Sequence, residues 1–583
     1  QPAAGPDAMS ALDWGVLFAT LAFFVGWGLW RARGERDLTD YLLAGRSVPW
    51  YGVLLSIMAT QASAITFLST PGQGFADGLR FVQFYFGLPF AMIVIAVTAV
   101  PIYQRLKVFT AYEFLQTRFD SKTRTLAAAL FLTQRGLAAG LTIYAPSLVL
   151  SVILGWPVGS TSLVLGGLAV IYTAWGGSRS VGQSHMLQFT IIMATMAVAF
   201  LLVLRALPDG VGAGEAVDLA GAFGRLNAIN THFDPNDRYN LWSGLIGGFF
   251  LQLSYFGTDQ SQVGRYLTGR SVRETRMGLL FNGLLKIPMQ YFILSLGVLL
   301  FVFYLFVPSP AFFNPGVVKQ LESGPRAVEY RAIDAQHRAA QAERARHARD
   351  LVRARQASDG VAREAALRGM TAAQADLAKI RERTVALIKA DAPKAPTNDT
   401  NYVFLSFVLA HLPAGLIGLV FAAVFAASMN STSSELNALA STTVVDVVKR
   451  IAPGSCEGMR GVWISRFVTL GWAAFAVAFA ENASRLGSLI EAVNILGSLF
   501  YGTILGIFLT AFYLKWVGGT AVFFAALIAE VVVLLCFRFT PISFLWYNLI
   551  GCAVVVIVAL MLQAAGVGRP RAPATGAKPA PAA

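Results

Sequence analysis

From Ser428 the chain reads Ser428-Met429-Asn430-Ser431-Thr432-Ser433-Ser434-Glu435-Leu436-Asn437, directly after the apolar run Phe421 to Ala427. Six of the eight side chains from Ser428 to Glu435 are hydroxyls or amides. In lipid each is costly on its own, and oxygens at that density suit a hard cation or the wall of a wet cavity. A stretch of similar character lies far upstream, Ser56-Ile57-Met58-Ala59-Thr60-Gln61-Ala62-Ser63-Ala64-Ile65-Thr66, with Pro71, Gly72 and Gly74 after it. Small and hydroxyl residues stand there where a lipid-facing helix holds leucine. An unwound segment would present carbonyls to Na⁺; a small-residue packing face is the plainer alternative. Single polar residues also interrupt apolar runs: Gln83, Arg135, His185, Gln252, Asp259, Lys286, Glu491 and Asn494. Lys286 has apolar flanks that favour a cavity position over snorkelling, whereas Arg135 and Asp259 fit either an interface or a structural pair. Two polar, small-residue segments in opposite halves of a chain point to a transporter built on inverted repeats.

The elements that must carry these residues follow from composition. The chain has 583 residues, 56% hydrophobic and 13% charged, with a mean hydropathy of +0.59. Soluble domains carry roughly 25% charged residues, so there is too little polar material to cover a water-facing surface. Apolar runs of about 20 residues predict spans near 11–30, 48–70, 81–103, 125–153, 157–175, 182–204, 240–257, 277–307, 402–427, 463–480, 486–513, 519–537 and 543–563. That is an all-α polytopic membrane protein with about thirteen helices. The first run, Ala11 to Trp30, is long enough to span and reads as a helix rather than a cleavable signal peptide. The net charge of +14 does not indicate nucleic acid, because the basic residues cluster in short loops. Arg31 to Arg33, Arg105 to Lys107, Lys122 to Arg124, Arg265 to Arg276 and Lys449-Arg450 all fall on one side. By the positive-inside rule that side is cytoplasmic, the N-terminus outside and the C-terminus inside a cell membrane. Cys456, Cys536 and Cys552 are too dispersed for a metal site or disulfide framework.

Residues 316–400 break the pattern, with 16 Lys/Arg against 11 Asp/Glu and no apolar run. Helix formers predict two helices, Glu343 to Arg355 and Thr371 to Lys389, separated by Ser358-Asp359-Gly360, with Thr371 as an N-cap. This charged insert is expected outside the membrane as a solvated spacer or partner surface, with few apolar residues to bury; the sequence names no protein partner for it. The expected organisation is an extra N-terminal helix and loop (1–45), a transporter core in two parts (46–315 and 401–515), the insert (316–400), extra C-terminal helices (516–567) and a Pro/Ala-rich tail (568–583).

Four short motifs resemble the sodium–solute symporter family, which includes sodium–glucose, sialic acid, iodide and monocarboxylate transporters. They are Asp40-Tyr41-Leu42-Leu43-Ala44-Gly45-Arg46-Ser47, Trp175-Gly176-Gly177 before Gln188, Tyr255-Phe256-Gly257-Thr258-Asp259-Gln260 with Arg265-Tyr266-Leu267, and Ser431 to Asn437 with Val445-Asp446. The resemblance covers roughly Leu38 to Lys515 without the insert. It implies a five-plus-five inverted-repeat core and Na⁺-driven uptake of a small organic solute or anion by alternating access. The family's main sodium site maps onto Ala59, Ala62, Ala427, Asn430 and Ser431, with Asn430 where a serine is usual. A second sodium site in some members maps onto Ser433 and Ser434, but its carboxylate position holds His185, so one sodium is expected rather than two. The sugar-transporting branch places solute contacts at Gln61, Ser63, Gln252, Tyr255, Lys286 and Asn494, with Gln83 in uncertain register. Gly140 to Pro146 resembles the monocarboxylate and iodide branch instead, so the solute is expected to be a sugar or polyol, or a monocarboxylate.

Two other readings compete. A proton-driven transporter would use His185, Glu491 or Lys286 as titrating groups. A membrane sensor would reuse the fold with the insert as its signalling element. No P-loop, Gly-x-Ser-x-Gly or His-Glu-x-x-His pattern supplies catalytic chemistry, so no enzyme is expected. Sodium, a small solute and the bilayer are the expected partners.

Overall fold

The structure, a computed structural model, describes residues 9–31, 43, 46–393, 395–452, 454, 456, 458–481 and 488–567, without the side chains of 25, 28–31, 172 and 174–185. Among the described residues the regular elements are helices, and nine helical segments are long and apolar enough to cross a membrane. Shorter apolar helices lie at 11–24 and 158–171. Their outward faces carry exposed Phe18, Leu163, Leu201, Phe467 and Val531, as a lipid-facing surface requires.

The first helix, α1 (Ala11–Arg31), is tied to a distant one by charge. Asp13 Oδ1 accepts from the backbone N–H of Gly415 (2.7 Å) and Gly418 (3.1 Å), capping the amino end of the helix that carries the hydroxyl run. A carboxylate at that end satisfies orphan donors and complements the helix dipole.

The expected span at 48–70 is two helices, α2 (Trp50–Gln61) and α3 (Ala64–Asp77), parted at Ala62 and Ser63. Pro71, Gly72 and Gly74 do not unwind anything. They lie within α3, where a Cβ on Gly72 or Gly74 would collide with the backbone at Thr400 or Leu294. These glycines serve close helix crossing. The 3₁₀ segment Gly78–Tyr85 leads to α4 (Leu88–Val97), α5 (Ala99–Leu106) and the short α6 (Ala111–Arg118), followed by the 34-residue α7 (Ser121–Leu154). The expected spans 157–175 and 182–204 fall on one helical segment, α8 (Val158–Arg205). The short helix α9 (Ala213–Ala222) follows in the connecting segment.

A second interruption separates α10 (Gly248–Gly257) from α11 (Gln260–Tyr266), with Asp259 as N-cap. Then come the 35-residue α12 (Val272–Phe306) and the insert. The insert holds α13 (Pro315–Ser323) and a long antiparallel hairpin, α14 (Ala327–Gln356) and α15 (Gly360–Asp391). The expected breaker lies in the turn, where Ser358 has φ +55°, but both helices start earlier than expected. The N-cap of α15 is Asp359, which accepts from Ala362 N–H (3.0 Å). Thr371 is mid-helix, its hydroxyl turned back to Leu367 O (2.8 Å). The expected span at 402–427 likewise divides, into α16 (Thr400–His411) and α17 (Leu416–Thr442), because Pro413 and Gly415 (φ +87°) end one helix and turn the chain into the next. The bundle closes with α18 (Gly458–Ala480), α19 (Leu489–Tyr513), α20 (Gly519–Phe539) and α21 (Leu545–Ala564).

The hairpin is not a loose spacer. Phe312, Val317, Leu321, Tyr330, Ile333, Leu387 and Ile388 form a small core at its base, while Leu351, Val352, Ala366 and Met370 join the main one. Buried Arg344 donates to Tyr304 O at the end of α12 (2.7 Å), and Arg355 pairs with Asp218 of α9 at the tip. The expectation of few buried apolar residues fails because they recur at helical spacing among charged ones.

At the base of the hairpin, His337 is buried with Nδ1 unpartnered. Burial, reinforced by the Arg344, Arg381 and Arg338 guanidiniums and opposed by Asp334, pushes its imidazole down to about 4 from 6.5. Above pH 6.5 both folded and unfolded chains hold a neutral ring and nothing is lost. As pH falls from 6.5 toward 4 only the unfolded ring gains a proton, and stability declines by up to about 3 kcal/mol. Thermal unfolding followed from pH 7 to 4.5 is therefore expected to drop more steeply for the parent than for His337→Leu.

Candidate functional site

Where α2 stops at Gln61, its last carbonyls lose their helical partners. One of them, Thr60 O, accepts from Ser431 Oγ of α17 (3.0 Å), and the Thr60 and Ser434 hydroxyls meet at 3.0 Å. The hydroxyl run is thereby pinned against the first interruption. Ala59, Ala62 and Ala427 are wholly buried around this contact. The Asn430 side chain is also fully buried, and neither atom of its amide has a hydrogen-bond partner. Ser433 and Ser434 turn their hydroxyls back onto Asn430 O (3.0 and 2.8 Å). His185 lies among the residues whose side chains are outside the description, as does most of Asp40 to Ser47.

The second interruption is closed differently. Tyr103 and Tyr112 hydroxyls donate to Gly257 O and Thr258 O, both at 2.9 Å, and Ser254 Oγ donates to Tyr501 O (2.8 Å). Those carbonyls are occupied by protein donors, whereas the first interruption faces a row of hydroxyl and amide oxygens.

Between the two interruptions lies a cavity of about 100 Å³. Gln61, Ser63, Gln252, Tyr255, Lys286 and Asn494 all line it, together with Ser431. Gln61 Nε2 donates to Asn282 Oδ1 of α12 (3.1 Å), and Asn494 Nδ2 donates to Ile490 O (2.6 Å). Gln83 is absent from the wall. Its amide clasps Tyr239 O (2.8 Å) and Asn230 N–H (2.9 Å) in the segment before α10, and Phe84 and Tyr85 line the cavity in its place. The eight-residue 3₁₀ turn sets that register, which periodicity of 3.6 misplaces.

Lys286 is buried, with its ammonium 5.6 Å from the centre of the Tyr85 ring. Among the described residues it has no carboxylate within ion-pair distance, unlike the cavity floor. There Arg135 of α7 donates to Glu435 Oε1 of α17 (3.0 Å), to Tyr501 Oη of α19 (2.6 Å) and to Asp259. Tyr501 donates on to Asp259 Oδ2 (2.7 Å), whose other oxygen accepts from Ser261 N–H and Oγ (2.8 and 2.7 Å). Arg135 and Asp259 are thus a buried structural pair. Sequence reasoning quoted Glu435 only as part of the polar run and did not single out Gln134 or Tyr501, because only the packing of α7, α17 and α19 brings the three to one cavity.

Ion pairs seal both ends of the bundle. At one end Arg124 holds buried Asp446 (2.6 Å), which also accepts from Thr110 (2.9 Å). At the other, Glu491 accepts from Arg238 (2.7 Å) and Tyr239 Oη (2.8 Å), so it belongs to the rim and not to the cavity.

Membrane-length apolar helices, two of them interrupted around a small polar cavity, make a multi-pass membrane transporter. The model of the Sodium:solute symporter family matches residues 41–326 and 377–529, and the chain belongs to that family. It is 29% identical over 297 residues to the sodium/iodide cotransporter of Homo sapiens, covering 50% of this chain and 46% of that protein. It is 25% identical to the sodium-dependent multivitamin transporter of Oryctolagus cuniculus, covering 87% and 68%, and 25% identical to sodium-coupled monocarboxylate transporter 1 of Xenopus laevis, covering 82% and 63%. The chain therefore spans about half to two thirds of the length of these relatives. Among solved structures, a Na⁺-coupled sialic acid symporter in a substrate-bound outward-open state shares the fold, with a TM-score of 0.73 at 20% identity, covering 96% of this chain and 99% of that one. The architecture is the five-plus-five inverted repeat. The stretch that the family model skips, 327–376, begins at the first residue of α14.

The floor cluster sets a stability expectation. Arg135→Met leaves Asp259 and Glu435 buried without their cation and costs about 3–5 kcal/mol. Tyr501→Phe removes one donor and costs about 1–3 kcal/mol. Thermal unfolding in detergent should show the first variant collapsing and the second moderately shifted.

Proposed function

We propose that this protein couples entry of Na⁺ to uptake of a small organic monoanion, a monocarboxylate in preference to a sugar or polyol, by alternating access. The observation that carries the solute class is Lys286. Burying an ammonium without a carboxylate costs several kcal/mol, and an anionic ligand removes that cost. The formal charges agree. Counted over the whole cavity, Lys286 and Arg135 equal Asp259 and Glu435 in number, although Lys286 pairs with neither, so one Na⁺ leaves a single positive charge for the solute to neutralise. The named solutes of the related iodide and monocarboxylate cotransporters fit this reading. Gln61, Ser63, Gln252 and Asn494 supply neutral hydrogen bonds around the anion, and Tyr255 and Tyr501, 6.0 Å apart, form the floor it must pass.

Sodium is assigned to Ala59, Ala62 and Ala427 carbonyls with Asn430 and Ser431 side chains. Interrupted backbone and unpartnered oxygens meet there, which is what a hard cation requires. Ser433 and Ser434 spend their hydroxyls on Asn430 O, which favours a single sodium. The basic loops put the Arg124–Asp446 end in the cytoplasm and the hairpin outside, bracing the outer loop on an otherwise standard core.

Uptake into proteoliposomes tests this. Ser431→Ala is expected to raise the sodium concentration for half-maximal uptake by about tenfold, the loss of roughly one oxygen ligand. Lys286→Gln is expected to abolish uptake of a short-chain monocarboxylate. A solute series in which neutral polyols are transported and Lys286→Gln is nearly silent would contradict the anion assignment.

A further inference from the structure

The floor of the cavity holds acceptors that lack donors. Gln134 is 1% exposed and its Oε1 has no hydrogen-bond partner; Glu435 is 6% exposed and its Oε2 has none. Both line the same cavity, from the facing helices α7 and α17. Arg135, next to Gln134 in the chain, holds the other oxygen of Glu435 and so ties the two helices together at this level. The buried Thr142 hydroxyl lies against the Glu435 carboxylate, with Ala138 O (3.3 Å) as the alternative acceptor for its proton, and its lone pairs face the same cavity. Gln134 Oε1 and Glu435 Oε2 are thus two buried acceptors without a donor, the kind of pair a cation satisfies.

Charge asks for the same thing. Arg135 is one cation against two carboxylates, Asp259 and Glu435, so the floor carries one surplus negative charge. Lys286 does not cancel it, since no ion pair joins it to either carboxylate. An unneutralised charge in this enclosure is expensive, and oxygen acceptors from a carboxylate, an amide and a hydroxyl are the donor set of a hard monovalent cation.

We propose that Gln134 Oε1, Glu435 Oε2 and Thr142 Oγ1 form a second sodium station, one helical turn beyond Ser431 on the route toward the Asp446 end. The proposal rests on the sodium-coupled reading above and adds the step after binding. Ser431 and Glu435 are four residues apart on α17, about 6 Å along its axis. Two sodium ions at that separation repel, so a single ion occupies one station or the other. An ion drawn to the floor approaches the Arg135–Glu435 bond that closes the path, and competes with Arg135 for the carboxylate.

Sodium-induced thermal stabilisation of the purified protein, with choline as the balancing cation and no solute, tests the station directly. Ser431→Ala should retain a sodium-dependent shift at roughly tenfold higher sodium. Adding Gln134→Met should remove that residual shift, and Gln134→Glu in its place should restore it at lower sodium concentration, because it adds a carboxylate oxygen. A purely structural glutamine would not show that gain. A Ser431→Ala protein with no residual shift, or one indifferent to residue 134, overturns the station while leaving the first sodium site intact. If the parent itself shows no sodium-dependent shift, the coupling reading fails as well.

Discussion

A chain crossing lipid must pair every backbone polar group, and this one interrupts its helical ladder at Ala62–Ser63 and at Thr258–Asp259, on either side of the polar cavity. What compensates those two interruptions determines the rest of the structure. At Gly257 and Thr258 the carbonyls are closed by the hydroxyls of Tyr103 and Tyr112, which fix α10 and α11 against α5 and α6. At Gln61 to Ser63 the partner is the hydroxyl run of α17, through Ser431 and Ser434. Both interruptions are therefore bridged by protein hydroxyls, but the first has the buried, unpartnered Asn430 amide beside it. That asymmetry is why a cation is assigned to the first and the solute cavity lies between the two.

The charged residues follow the same logic of neutralisation. Arg135, Asp259, Glu435 and Tyr501 satisfy one another almost completely, and they draw on four helices to do so. Such a cluster forms as a unit or not at all, which suits a barrier that must open cooperatively. Lys286 stands apart, over the Tyr85 ring and, among the described residues, with no carboxylate in ion-pair reach. The contrast between a paired arginine and a lone lysine in one small cavity separates structure from recognition. Asp13 extends the principle to the periphery, where a helix outside the repeat core caps α17 and holds its axial position.

Much of this was legible in the residues. The polar runs at Ser56 to Thr66 and Ser428 to Asn437 are conspicuous because lipid penalises them, and both lie at the centre of the bundle. Six side chains expected around the solute meet in one cavity because their helices carry apolar flanks that set depth. What escaped was register and partnership. Gln83 is displaced by a 3₁₀ turn; Pro71 to Gly74 mark a tight crossing rather than unwinding; and 402–427 divides at Gly415, whose φ of +87° no hydropathy window reports. The hairpin looked solvated because its buried positions are alanine, leucine and isoleucine spaced among arginines. Gln188, fully buried with both amide atoms unpartnered, was noticed only as a marker on its helix.

The central claim is that sodium held by the first interruption and α17 makes the cavity accept one anion at Lys286. Its most direct test is charge movement across proteoliposomes loaded to a defined potential, measured together with solute flux. One sodium per monocarboxylate predicts electroneutral uptake, driven by a sodium gradient and indifferent to membrane voltage, and lost in Lys286→Gln. Uptake that proceeds without sodium, or that carries one positive charge per solute, would contradict the account.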